Sequence, residues 1–148
     1  MPPGPRLHDT YVAALQHDLA ALPEGTTLVG VVRRPTGWFH AAVDENYPEV
    51  APPDALLDDF EEQQEAFAMR GLCAEEAHNA AWDAVDFGER YRRHLQTDSS
   101  ARDGVADLRD RLRAGESLAL VCFENTDAKR CHRTMLREHL LDTLADGE

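Results

Sequence analysis

Apolar residues recur along this chain with two different periods, and the switches between them mark the elements. Tyr11, Leu15, Leu19 and Leu22 fall on one stripe behind Asp9. That spacing predicts a helix over residues 9–22, capped by Asp9 and ended by Pro23-Glu24-Gly25. Thr27-Leu28-Val29-Gly30-Val31-Val32 is apolar and β-branched, which predicts a buried strand closed by Arg33-Arg34-Pro35. Residues 36–53 read as a loop, with Pro48, Pro52 and Pro53 and a short extended piece near Ala42. Asp54 then caps a helix running to Met69, with Leu56, Phe60 and Phe67 inside and Gly71 just past its end.

A long helical pattern follows over residues 74–95, bent at Gly88. Ser100-Ala101-Arg102-Asp103 resembles a capping box for a helix that buries Val105, Leu108 and Leu112 and stops at Gly115. Leu118-Ala119-Leu120-Val121-Cys122-Phe123 is an unbroken apolar run, as in a central strand covered on both faces. A last helix is predicted from Ala128 or Lys129, with Leu136, Leu140 and Leu144 inward. Helices alternating with strands predict an α/β fold: a helix-rich domain with a small, mainly parallel sheet flanked by helices. No repeat or linker divides the chain, so residues 9–148 read as one domain behind a flexible, Pro/Gly-rich leader over 1–8.

Charge changes this picture more than length does. Acidic residues outnumber basic ones 28 to 15, the net charge is −13, and Lys129 is the single lysine. Carboxylates paired with arginine rather than lysine suit a salt-rich cytoplasm, where the screening length falls to ~3 Å at 1 M salt. The composition predicts a protein of the haloarchaeal type. The acidity also argues against non-specific nucleic-acid binding, which needs a basic footprint. No apolar stretch approaches the ~20 residues of a membrane span, and the first residues lack the pattern of a signal peptide. Three cysteines do not make a disulfide scaffold, which leaves thiol chemistry or ligation open to them.

The candidate chemistry gathers where the second strand meets the last helix. Cys122 and Glu124 are two apart on a strand and share a face, and Cys131, His132 and Arg133 follow at the helix start. Ligands of open α/β sheets bind at the carboxyl ends of strands, and a helix N-terminus favours an anion or a thiolate. Cys131, His132, Glu124 and Cys122 are therefore the candidate catalytic residues. Arg133, Arg33, Arg34, Trp38 and His78 are candidate ligand-binding residues, with His40 in reserve. Cys131 is expected to be the reactive thiol and Cys122 the supporting one, because Cys122 ends a buried strand.

The run Leu118-Ala119-Leu120-Val121-Cys122-Phe123-Glu124, followed by Cys131-His132-Arg133-Thr134, resembles the C-terminal signature of the domain of unknown function 488 family. Val31-Val32-Arg33-Arg34-Pro35 resembles that family's strand ending in Asp-Val-Arg and a proline. Two departures stand out. Val31 occupies the usual acid position, and the family's opening strand has no counterpart in a chain that opens on a helix. The resemblance implies an α/β fold and supplies no reaction.

Other constellations fit less well. Cys131 and Arg137 have the Cys-x5-Arg spacing of phosphotyrosine phosphatases, but a helix would carry Arg137 away from the thiol. Cys122, Cys131 and His132, with Cys73 or His78, supply zinc-type donors without a standard spacing. A Cys122–Cys131 redox pair matches no Cys-x-x-Cys motif. The sequence thus favours a thiol-dependent enzyme acting on a small anionic compound, such as a nucleotide or another phosphorylated molecule. The alternative is a non-catalytic domain that binds a ligand, a metal or a regulator. No motif specifies a cofactor.

Overall fold

The computed structural model describes residues 7–11, 22–35, 37–122 and 132–146. Four strands form one parallel sheet: β1 (Leu7–Tyr11), β2 (Thr27–Gly30), β3 (Glu45–Asn46) and β4 (Leu118–Cys122), in the spatial order β1-β4-β2-β3. Every residue of β4 is buried, as its unbroken apolar run requires of a strand covered on both faces. The helices are α1 (Gly37–Ala42), α2 (Asp54–Met69), α3 (Ala74–Ala84), α4 (Phe87–Thr97), α5 (Ser99–Arg113) and α6 (His132–Asp146). This is the expected helix-rich α/β architecture. The core joins Leu118 and Leu120 of β4 to Leu95, Leu108, Leu136 and Leu140 of the helices.

The opening of the chain corrects the sequence reading. Asp9, Thr10 and Tyr11 do not start a helix. They lie in β1, where Asp9 pairs with Leu120 and Tyr11 with Cys122. Leu7 and His8, assigned above to the leader, belong to the same strand. A strand therefore stands where the sequence predicts the start of a helix. Residues 12–21, the rest of the expected helix, lie outside the described residues.

Smaller corrections follow the same physics. The extended piece of the 36–53 segment falls at Glu45–Asn46, and Gly37–Ala42 is helical. Arg111 on α5 holds β3 in place, reaching Glu45 at 2.7 Å and Glu116 at 3.1 Å. Asp54 does not cap α2, which starts after Pro53; its carboxylate goes to Arg34 instead. The pattern over 74–95 is two helices, broken at Asp86 in the left-handed region (φ 55°) rather than bent at Gly88. The break stacks Trp82 on Phe87 with ring centres 4.0 Å apart. Asp98, not Ser100, caps α5 by accepting from the Ala101 N–H at 2.9 Å. The expected start of α6 near Ala128 lies outside the described residues.

Candidate functional site

The last residues of the two central strands face opposite sides of the sheet. Gly30 at the end of β2 faces Phe39 of α1: an added Cβ would lie 2.6 Å from the Phe39 ring and 2.6 Å from Asn46 Oδ1. Gly30 pairs with Val121, so Cys122, one residue on, points to the other face. There it meets Arg133 of α6. Open α/β sheets take ligands at the carboxyl ends of their strands, and Cys122 is the last residue of β4.

A cleft of about 280 Å³ occupies this position. Arg33, Arg34 and Cys122 line it from the sheet side, His132 from α6, and Phe60, His78, Trp82 and Phe87 from the helices above. His78 is buried, edge-on to Phe60 with ring centres 5.0 Å apart. The structure thus brings five of the sequence candidates together around one space: Arg33, Arg34, His78, Cys122 and His132.

The two adjacent arginines have different surroundings. Arg34 is exposed and held by three carboxylates, Asp58 at 2.8 Å, Asp54 at 3.1 Å and Glu61 at 3.5 Å. Arg33 is half-buried and held by backbone: Nε donates to Pro52 O at 3.1 Å and Nη2 to Ala51 O at 3.0 Å. These carbonyls fix the fork without neutralising it. Among the described residues Arg33 makes no ion pair. Glu49 is near enough to feel its charge, which draws the Glu49 carboxyl down against a larger upward push from burial.

Arg133, 2 % exposed, sits behind the cleft. Its Nε donates to Asp9 Oδ2 at 2.9 Å, while Nη1 donates to Thr10 O and lies 3.4 Å from Cys122 Sγ. A guanidinium N–H is therefore aimed at a buried thiol, with its charge balanced by a carboxylate from the opposite edge of β4. Arg137, a turn further along α6, approaches the other oxygen of Asp9 at 3.6 Å.

His132 Nε2 lies 2.6 Å from Val31 O. A carbonyl can only accept, so the proton is on Nε2. Burial pushes the imidazole down to about 4 and the Arg133 charge adds to this, while the Val31 hydrogen bond opposes it. His132 is therefore neutral near pH 7. The edge of its ring packs with Tyr91, centres 5.6 Å apart, and the Tyr91 hydroxyl is tied to Val50 O at 2.6 Å.

Residues 10–144 match DUF488-N3a, described as the active DUF488-N3 subclade. The chain belongs to that family. No curated protein and no solved structure matches it. The matched residues include Cys122, at the C-terminal end of β4, and His132-Arg133 at the start of α6.

Other sequence candidates lie elsewhere. Glu124 and Cys131 fall outside the described residues, as do the side chains of Trp38 and His40, which α1 carries. Cys73 is exposed at the start of α3, where its thiol donates to Glu76 Oε1 at 3.0 Å, and it does not line the cleft. Among the described residues no three His, Cys, Asp or Glu side chains group as a metal site would require. No described helix is long and apolar enough to cross a membrane.

Two participants were missed in the sequence. The sequence reads Asp9 as a helix cap; with 7–11 a strand, it falls on the Leu7 face instead. Phe60 was read as core alone, yet it also walls the cleft.

Proposed function

We propose that this protein is a thiol-dependent enzyme acting on a small anionic ligand, of the nucleotide or phosphorylated class, in the cleft at the end of β4 and β2. One observation carries the reading: a cleft thiol, Cys122, faces the Arg133 guanidinium at 3.4 Å beside a second guanidinium, Arg33, fixed by backbone. Arg133 stabilises the thiolate form of Cys122, against the opposing effect of burial. Arg33 holds the anion. Neutral His132, its proton kept on Nε2 by Val31, is in the protonation state of a general base near pH 7. The description of the subclade as active supports an enzyme.

The nucleophile's role is assigned here to Cys122 on its described surroundings; Cys131, the sequence candidate for that role, lies outside the described residues. Arg133, engaged by Asp9 and Thr10, acts on the thiol rather than on the anion. Arg34, neutralised by its three carboxylates, is left out of anion binding. Glu124 keeps its sequence-based role as a second proton carrier. A non-catalytic binding domain is the second reading, favoured by the way Val31 and Tyr91 fix His132 as a structural histidine would be fixed.

Residue-by-residue alkylation with iodoacetamide, followed by mass spectrometry across pH, tests the enzyme reading. Cys122 is expected to reach half its maximal rate at lower pH than exposed Cys73, and Arg133→Met is expected to remove the difference. A Cys122 profile that follows Cys73 in the wild-type protein would remove the activated thiol. If Cys131 has the low-pH profile instead, and Arg133→Met leaves it unchanged, the nucleophile is Cys131.

The haloarchaeal type and a cytoplasmic setting belong to the same proposal. Arg34 and Arg111 each join several carboxylates, as expected of an acidic surface that uses arginine as its hub. The melting temperature is expected to rise between dilute buffer and molar KCl as repulsion is screened. Equal melting temperatures would remove the halophilic reading.

A further inference from the structure

We infer that the cleft accepts a ligand with a single phosphate- or carboxylate-sized group on a small uncharged ring, and disfavours polyphosphates. This rests on the anion-binding reading above and narrows it.

The charges around the cleft allow one anion. Among the described residues, five cationic or potentially cationic groups stand close enough to matter: Arg33, Arg34, His78, His132 and Arg133; of these His78 is buried edge-on against Phe60 and beside Trp82. Arg34 is shared among Asp54, Asp58 and Glu61. Arg133 is buried against Asp9 and does not line the cleft. His132 donates its Nε2 proton to Val31 O and is uncharged near pH 7. Arg33 remains, with two of its nitrogens fixed on Pro52 O and Ala51 O and no ion pair. Its Nη2 also lies 3.5 Å from His94 Nε2, and among the described residues its Nη1 makes no hydrogen bond. Among the described residues a second phosphate would find no further free guanidinium and would approach Glu61, which also lines the wall.

Size and lining point the same way. About 280 Å³ lies at or below the small end of ligand pockets, roughly 300–1,000 Å³. Opposite Arg33 the wall is apolar and aromatic: Leu57, Phe60, Trp82 and Phe87. Such a wall takes the face or edge of a flat ring and offers a long charged tail nothing. The ligand class is therefore an aromatic or heterocyclic body with one anionic substituent.

The full-length protein can be titrated calorimetrically, at one fixed ionic strength, with inorganic phosphate, phenyl phosphate, benzoate and pyrophosphate. Phenyl phosphate or benzoate is expected to bind at least about tenfold more tightly than inorganic phosphate, and the tighter of the two identifies the anionic group. Pyrophosphate is expected to bind no more tightly than inorganic phosphate. Arg33→Leu should weaken the ring compound at least about tenfold, as loss of a charged hydrogen-bonding partner does, while Arg34→Leu leaves it within about twofold. Pyrophosphate binding about tenfold more tightly than phosphate, with Arg33→Leu still damaging, would overturn the single-anion inference and leave the anion site standing. If no compound binds and Arg33→Leu changes nothing, both fall.

Discussion

Replacing Asp9 with alanine is expected to destabilise the protein by about 3–5 kcal/mol, the range for leaving one member of a buried ion pair without its partner. Arg133 is 2 % exposed, and Asp9 is the carboxylate that its Nε reaches, at 2.9 Å. Of the contacts described for the guanidinium, Thr10 O and the Cys122 sulfur would remain without Asp9, and neither carries a full negative charge. Asp9→Asn keeps an oxygen acceptor and should cost less than alanine. Arg133→Met should cost less than Asp9→Ala, because the Asp9 side chain is 28 % exposed and can be rehydrated. The double variant should recover much of the loss, since an apolar replacement of a buried pair is often tolerated. Urea unfolding at fixed KCl measures the four variants against the wild-type protein. A loss below about 1 kcal/mol for Asp9→Ala would mean that water or Thr10 already satisfies Arg133.

The same pair shows where the sequence is legible and where it is not. β4 and β2 are readable because each is an apolar run that only a covered strand explains, and both lie parallel as expected. β1 is not readable this way. Its five residues carry two apolar side chains, and Tyr11 happens to fall on a helical stripe with Leu15, Leu19 and Leu22. What makes 7–11 a strand is a partner more than a hundred residues away, Leu118–Cys122, and no local pattern encodes that. With β1 hidden, the Asp9–Arg133 pair was hidden too. The helix break at Asp86 lacks the proline or glycine that usually signals one.

The cleft was legible in its residue types and not in their roles. Cys122, His132 and Arg33 follow from where two strands end. Arg33 and Arg34 look equivalent in sequence, yet their neighbours separate them. Asp54, Asp58 and Glu61 recur at helical spacing on one face of α2, and Arg34 is the residue that turns toward that face. The i, i+4, i+7 carboxylates were visible in the sequence as a row waiting for a cation. Which of two adjacent arginines meets them is decided by the turn after β2. Both line the cleft, but that turn commits the Arg34 guanidinium to the α2 carboxylates and leaves Arg33 without an ion pair among the described residues.

His132 should make the protein lose stability in mild acid, by about 3 kcal/mol more than its carboxylates alone would cause. The imidazole titrates near 4 in the folded chain against 6.5 unfolded, through burial first and the Arg133 charge second. Because the folded value is depressed, the unfolded chain binds the extra proton between those limits. Its contribution is fully present above about pH 6.5 and is lost as the pH falls from there toward 4. The size follows from about 1.4 kcal/mol per pH unit of displacement. His139, also pushed down mainly by burial, acts in the same direction. His132→Gln retains an N–H for Val31 O and does not titrate, so its stability should fall less steeply over the same window. Urea unfolding at pH 7, 6, 5 and 4 compares the two proteins, and the carboxylates common to both cancel in the difference. The independent reading is the His132 ring proton shift in the wild-type protein, whose midpoint should lie near 4. A midpoint at 6 or above, with parallel stability profiles, would show that water reaches the ring and that Val31 and Tyr91 do not enclose it.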